Sequence, residues 1–123
     1  MRDDIVELIG VYDADGGLRG EAAYVLGKLL GGAHCSLCDI THSPIRRKPE
    51  WDRYVASLGV PFILLHRNET PDDVRTALQA AGLPAVIARL RDGSLLEVLG
   101  PAELDGLGGS VSALAAAVEG RLA

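Results

Sequence analysis

No apolar run in this chain approaches the roughly 18 residues that a membrane span requires. Its opening residues, Met1-Arg2-Asp3-Asp4, carry no apolar segment behind a basic end and do not read as a secretory leader. Positive charge is not in excess either. A net charge of −5 and a pI near 5.1 argue against nucleic acid or an anionic membrane as a partner. The one basic cluster, Arg46-Arg47-Lys48, is short and has no interleaved aromatics. It reads first as a solvated loop, with a local pull on an anion or thiolate as its other use. Nucleotide and hydrolase signatures are missing: Gly27-Lys28 runs into Leu29 without the phosphate-loop spacing, and no GxSxG, HExxH or GxGxxG occurs. There is no internal repeat, low-complexity tract or linker. A chain of 123 residues with 48% apolar content is therefore expected to bury one core as one domain.

Cysteine is scarce, and its placement is the most informative feature present. Both cysteines fall in His34-Cys35-Ser36-Leu37-Cys38-Asp39-Ile40-Thr41-His42, together with two of the three histidines. Thiolate, imidazole and carboxylate either exchange electrons through a disulfide or hold a transition metal, and folding needs neither. With no export signal, a CxxC pair points to a reducing, cytoplasmic setting, where such a pair is more often catalytic or metal-binding than a staple.

Glycine and proline punctuate an alternation of strands and helices. Residues 5–12 are nearly all apolar and β-rich, as in a strand covered on both faces, and Asp13-Ala14-Asp15-Gly16-Gly17 breaks them. Periodicity predicts a helix over 19–30, with Ala22, Leu26, Leu29 and Leu30 on one stripe and Gly31-Gly32 ending it. The cysteine segment has no clear period. Pro49 opens a helix whose Trp51, Tyr54, Val55 and Leu58 share a face, most simply a core face, with Gly59 past its end. Val60 to His66 reads as another central strand. Thr70 is expected to cap a helix that begins at Pro71 and stops at Gly82. Residues 85–91 and 94–99 form a hairpin around Asp92-Gly93, and Ser110 caps a last helix with Val111, Leu114, Ala115, Val118 and Leu122 on one face. The class is α/β. Strands 5–12 and 61–66 are expected to be parallel neighbours, both central in one mixed sheet.

This order, with its ββα ending, resembles the thioredoxin superfamily. The match is best from Val60 to Ala123: Gly82-Leu83-Pro84 stands before the hairpin where thioredoxins carry a cis-proline, Arg91-Asp92-Gly93 matches their hairpin turn, and Gly100 follows the second hairpin strand. The resemblance implies a three-layer sandwich, a mixed sheet with helices on both faces, and residues 1–123 as a single thioredoxin-like domain. It also implies that Cys35 attacks, Cys38 resolves, and Pro84 follows a cis bond beside them. The partners would be protein thiols or disulfides, with no cofactor. The first half departs from that pattern, because the CxxC does not directly follow the strand at 5–12. Two arrangements fit the spacing. Residues 33–36 form a short second strand that brings the cysteines to the end near Pro84, or the motif lies in an insertion and the usual redox position is vacant.

Several side chains can tune or redirect this chemistry. A helix start, the histidines or Arg46-Arg47-Lys48 can lower the Cys35 pKa, while the Asp39 carboxylate opposes that. The competing metal reading takes Cys35 and Cys38 as paired zinc ligands, completed by His42 and by His34 or Asp39, with His66 or a dimer partner relieving strain. Each histidine also has a simpler reading, as a locally hydrogen-bonded or exposed side chain. Asp13 and Asp15 follow a strand and can attract a cation, but DADGG is ordinarily a turn. A homodimer is compatible with a small, glycine-rich, apolar chain.

Overall fold

The computed structural model describes residues 2–13, 35–42 and 48–123. The helix expected over 19–30, along with His34, Arg46 and Arg47, lies outside the described residues. Within them the chain is an α/β protein: β1 (Ile5–Tyr12), α1 (Ser36–Thr41), α2 (Pro49–Ser57), β2 (Phe62–His66), α3 (Asp72–Ala81), β3 (Ala85–Leu90), β4 (Leu95–Leu99), α4 (Pro101–Asp105) and α5 (Val111–Leu122). None of these helices is long and apolar enough to cross a membrane.

The four strands form one mixed sheet in the order β2-β1-β3-β4. β1 runs parallel to β2, with Ile9 opposite Ile63 and Tyr12 opposite His66. It runs antiparallel to β3, with Ile9 opposite Ile87 and Val11 opposite Ala85, and β4 closes the antiparallel hairpin. The expected parallel pairing of the two strands is therefore present, but β2 lies at an edge rather than in the interior. The reason is physical. An apolar run reports that both faces of a strand are covered, whereas its in-plane neighbours are bonded through the backbone and leave no side-chain pattern. Phe62 and Leu64 pack into one cluster and Leu65 into the other. The edge position shows at Ile63, which stays 38% exposed.

Alternate residues of β1 feed two cores. Leu8 and Tyr12 join α1, α2, α4 and α5 side chains such as Leu37, Trp51, Leu104, Leu114 and Val118. Ile9 and Val11 join Val74 and Leu78 of α3 with Ala85 and Ile87. Helices thus cover both faces of the sheet, and this explains why β1 is nearly all apolar from Leu8 to Tyr12. Burying one such Leu, Ile or Val side chain contributes roughly 1.5–3 kcal/mol.

Local signals set most boundaries. Pro49 occupies the first turn of α2, whose Trp51 is buried, and the Ser110 hydroxyl caps α5 by accepting from the Ala113 N–H at 3.1 Å. Gly82 ends α3 at φ +84°, a conformation that side chains rarely adopt. Two assignments need correction. Thr70 does not cap α3: its hydroxyl turns back to the Arg67 carbonyl at 3.4 Å, and the helix begins at Asp72. The short helix α4 and the single 3₁₀ turn Arg67–Glu69 were not anticipated, because neither is long enough to show a period.

Candidate functional site: a buried dithiol at the exit of β1

Cys35 is the extended residue that precedes α1, and Ser36 opens the helix, so no strand extends through 35–36. Three backbone N–H groups, from Cys38, Asp13 and Leu37, donate to the Cys35 sulfur. The Asp13 donor sits one residue beyond β1, which pins the cysteine to the exit of that strand although the two residues are far apart in the chain. Because Val11 pairs with Ala85 in antiparallel register, that exit is also where β3 begins. The Leu83–Pro84 bond there is cis and Pro84 is buried. The motif and Pro84 therefore share one end of the sheet, where the first of the two arrangements puts them, but residues 35–36 are not part of the strand that it supposed.

Both cysteines are free thiols and come within 3.0 Å of each other. The Cys38 thiol donates to the Cys35 sulfur, and this contact is the largest influence on Cys35. Burial opposes ionisation, but the donors win, and the Cys35 pKa falls from 9.0 to about 6. Of the expected sources the helix start is present, since the Leu37 and Cys38 N–H groups belong to the first turn of α1. Among the described residues the shift comes from hydrogen bonding, with no histidine or lysine contributing. Lys48, the described member of the basic cluster, instead donates from Nζ to the Gly109 carbonyl at 2.7 Å. The pair is also closed in: Cys35 is 1% exposed and Cys38 8%.

Gly10 explains how α1 comes so near the sheet. A Cβ at that position would lie 3.0 Å from Leu64 Cδ2 and 3.2 Å from Leu37 Cδ2. Leu37 sits between the two cysteines in sequence and is fully buried. A side chain on β1 at Gly10 would push against the turn that presents both sulfurs.

Beside the dithiol lies a polar cluster that the sequence did not reveal. The Tyr12 hydroxyl and Thr41 Oγ1 are 2.7 Å apart and buried. Thr41 Oγ1 is 2.7 Å from His42 Nδ1, which is 3.4 Å from the Tyr12 hydroxyl. The Tyr12 ring also packs against His66 at 5.2 Å. Tyr12 closes an apolar strand and reads as core from sequence alone; its phenol marks it only once α1 is laid across it. His66 Nδ1 is 2.7 Å from Glu69 Oε1, and bonds from the His66 backbone and ring lower the Glu69 pKa. Asp13 meets Arg67 at 3.3 Å at the same rim.

The metal ligand set is not assembled among the described residues. No three of their His, Cys, Asp and Glu side chains gather where one ion could bind them. His42 is turned to Thr41 and Tyr12, His66 to Glu69, and His34 lies outside the described residues. Compared with known proteins, the chain matches no family model, no curated protein and no solved structure.

Proposed function

We propose that the protein is a small thioredoxin-like redox protein that cycles Cys35 and Cys38 between dithiol and disulfide by thiol–disulfide exchange. The observation that carries this reading is the geometry of the pair. The two free cysteines come within 3.0 Å of each other, and the N-terminal sulfur accepts from three backbone N–H groups and the other thiol. Such donors favour the thiolate, which is the attacking species. The cis bond before Pro84, at the same end of the sheet, agrees with the resemblance. The edge position of β2 departs from the central place that the order of elements implies, so the reading rests on the thiols and not on that strand.

In the exchange, the Cys35 thiolate attacks one sulfur of a partner disulfide and displaces the other as a thiolate. Cys38 then loses its proton and attacks the Cys35 sulfur of the mixed disulfide. The second partner thiolate leaves, and the protein carries the new disulfide. Cys38 already touches Cys35, so this second step needs little rearrangement. Protein thiols or disulfides are the proposed partners.

Trapping tests the assignment. Cys38→Ser, offered a small disulfide such as cystamine, should hold a stable mixed disulfide at Cys35. Cys35→Ser should form no such mixed disulfide. Stoichiometric zinc in freshly purified protein, with both thiols protected, would instead favour the metal reading.

A further inference from the structure

The outer edge of β2 is short, apolar and complementary to itself. Among the described residues no strand pairs with that side. The Leu8 N–H donates to the Pro61 carbonyl at 2.9 Å, and Leu8 stands opposite Phe62. In a parallel ladder that register turns the backbone of Ile63 and Leu65 toward β1 and the backbone of Phe62 and Leu64 outward. The run is bounded at both ends. The strand begins at Phe62, and the His66 N–H is already taken by Glu69 Oε1 at 2.8 Å. Phe62 and Leu64 are thus the residues that offer N–H and C=O groups at this edge, with Ile63 between them. Sheet edges of monomers are commonly blunted by charged side chains, and Phe62–Leu65 carries none.

We propose that this edge pairs with the same edge of a second copy of the chain, antiparallel, about a two-fold axis at Ile63. Turned about that axis, Phe62 meets the partner's Leu64 and exchanges backbone hydrogen bonds with it in both directions, and Leu64 does the same with the partner's Phe62. Ile63 then faces the partner's Ile63 as a non-hydrogen-bonded pair, the arrangement that brings side chains closest. Ile63 is 38% exposed, and among the large apolar side chains of the described residues only Val6 joins it in being exposed. Pairing covers Ile63. On the opposite face Phe62 and Leu64 line a cavity of about 230 Å³ with Trp51, Asp52 and Val55 of α2, and the partner's Leu64 and Phe62 come alongside on that same face. Charge favours a copy as the occupant. The chain as a whole carries −5, yet the shared edge opposes no like charges, because Phe62–Leu65 is uncharged. Symmetry matches the register of a copy automatically, since the same patch serves both sides. The edge and its flanking helix are smaller than the roughly 800 Å² per partner of a standard interface, so the dimer is reversible and forms at concentrations on the order of tens of micromolar.

Sedimentation velocity on the reduced full chain, from about 5 to about 500 µM, reads the assembly directly. The wild type should pass from monomer to dimer across that range. Ile63→Lys places a charge opposite its own copy and should stay monomeric at the highest concentration. Its melting temperature should be kept, because Ile63 lies at the surface. Cross-linking tests the register without that variant. With Cys35→Ser and Cys38→Ser in place, Ile63→Cys should form a disulfide between copies at least about tenfold faster than Val6→Cys. Val6 is 41% exposed but lies on β1, which pairing would hold three strand spacings, roughly 14 Å, from β1 of the partner. A chain that stays monomeric throughout overturns the inference. So does a dimer that survives Ile63→Lys, or cross-linking that is equally fast at the two positions.

Discussion

The Asp13 backbone N–H donates to the Cys35 sulfur, tying the residue after β1 to the residue before α1. That bond sets where the dithiol stands relative to the sheet, and with the Cys38 thiol it sets how readily Cys35 ionises. The ultraviolet absorbance of thiolate should therefore rise with a midpoint near 6, the value to which the Cys35 pKa is lowered. Cys35→Ser should abolish that step. Cys38→Ala should move it upward, because the Cys38 thiol is the strongest donor. A midpoint unchanged in Cys38→Ala would remove the thiol pair from the explanation.

Stability should follow the same titration. Cys35 titrates near 9.0 when unfolded and near 6 when folded, so between these values the unfolded chain binds more protons. Stability of the reduced protein then rises with pH across that window. The contribution is complete above the unfolded pKa and is lost as the pH falls through the folded one. Its size is on the order of 4 kcal/mol. Urea unfolding of the reduced protein should show this slope and Cys35→Ser should lack it. Parallel profiles for the two would contradict the assignment.

Tyr12→Phe removes one partner of a buried bond at 2.7 Å and leaves Thr41 with His42 alone. The expected loss is about 1–2 kcal/mol, read by thermal or urea unfolding. A variant as stable as the parent would mean that the Tyr12–Thr41 contact contributes nothing.

Tyr54→Phe should act in the opposite direction. The Tyr54 hydroxyl is buried without a hydrogen-bond partner, and burial, reinforced by Glu119, pushes its pKa up to about 12. Deleting an unsatisfied oxygen while keeping the ring against Trp51 and Phe62 should leave stability unchanged or raise it by about 1 kcal/mol. A clear loss in the melting temperature would show that the hydroxyl is bonded.

The legible parts of the fold were those with local signals. Pro49, Gly82, Asp92-Gly93 and Ser110 each act within a few residues of themselves, and each marks the boundary it was read to mark. Strand order was harder. The apolar stretch at Phe62–His66 records two covered faces and says nothing about whether another strand bonds alongside, so its edge position was not visible. At the site, the spacing of Cys35 and Cys38 singled out the pair, but its position depended on a contact between distant residues. No periodicity encodes Asp13 reaching Cys35, or Tyr12 reaching Thr41. Of the basic cluster, read first as a solvated loop, Lys48 is the described member, and its ammonium donates to the Gly109 carbonyl.

The central claim is that Cys35 and Cys38 act as one reversible redox couple. Its most direct test equilibrates the protein with graded mixtures of reduced and oxidised dithiothreitol, followed by acid quench, thiol count and intact mass. The account predicts that both thiols disappear together, with a loss of two hydrogens in mass, in a single reversible transition. Two free thiols persisting through the most oxidising mixture in the folded protein would contradict it.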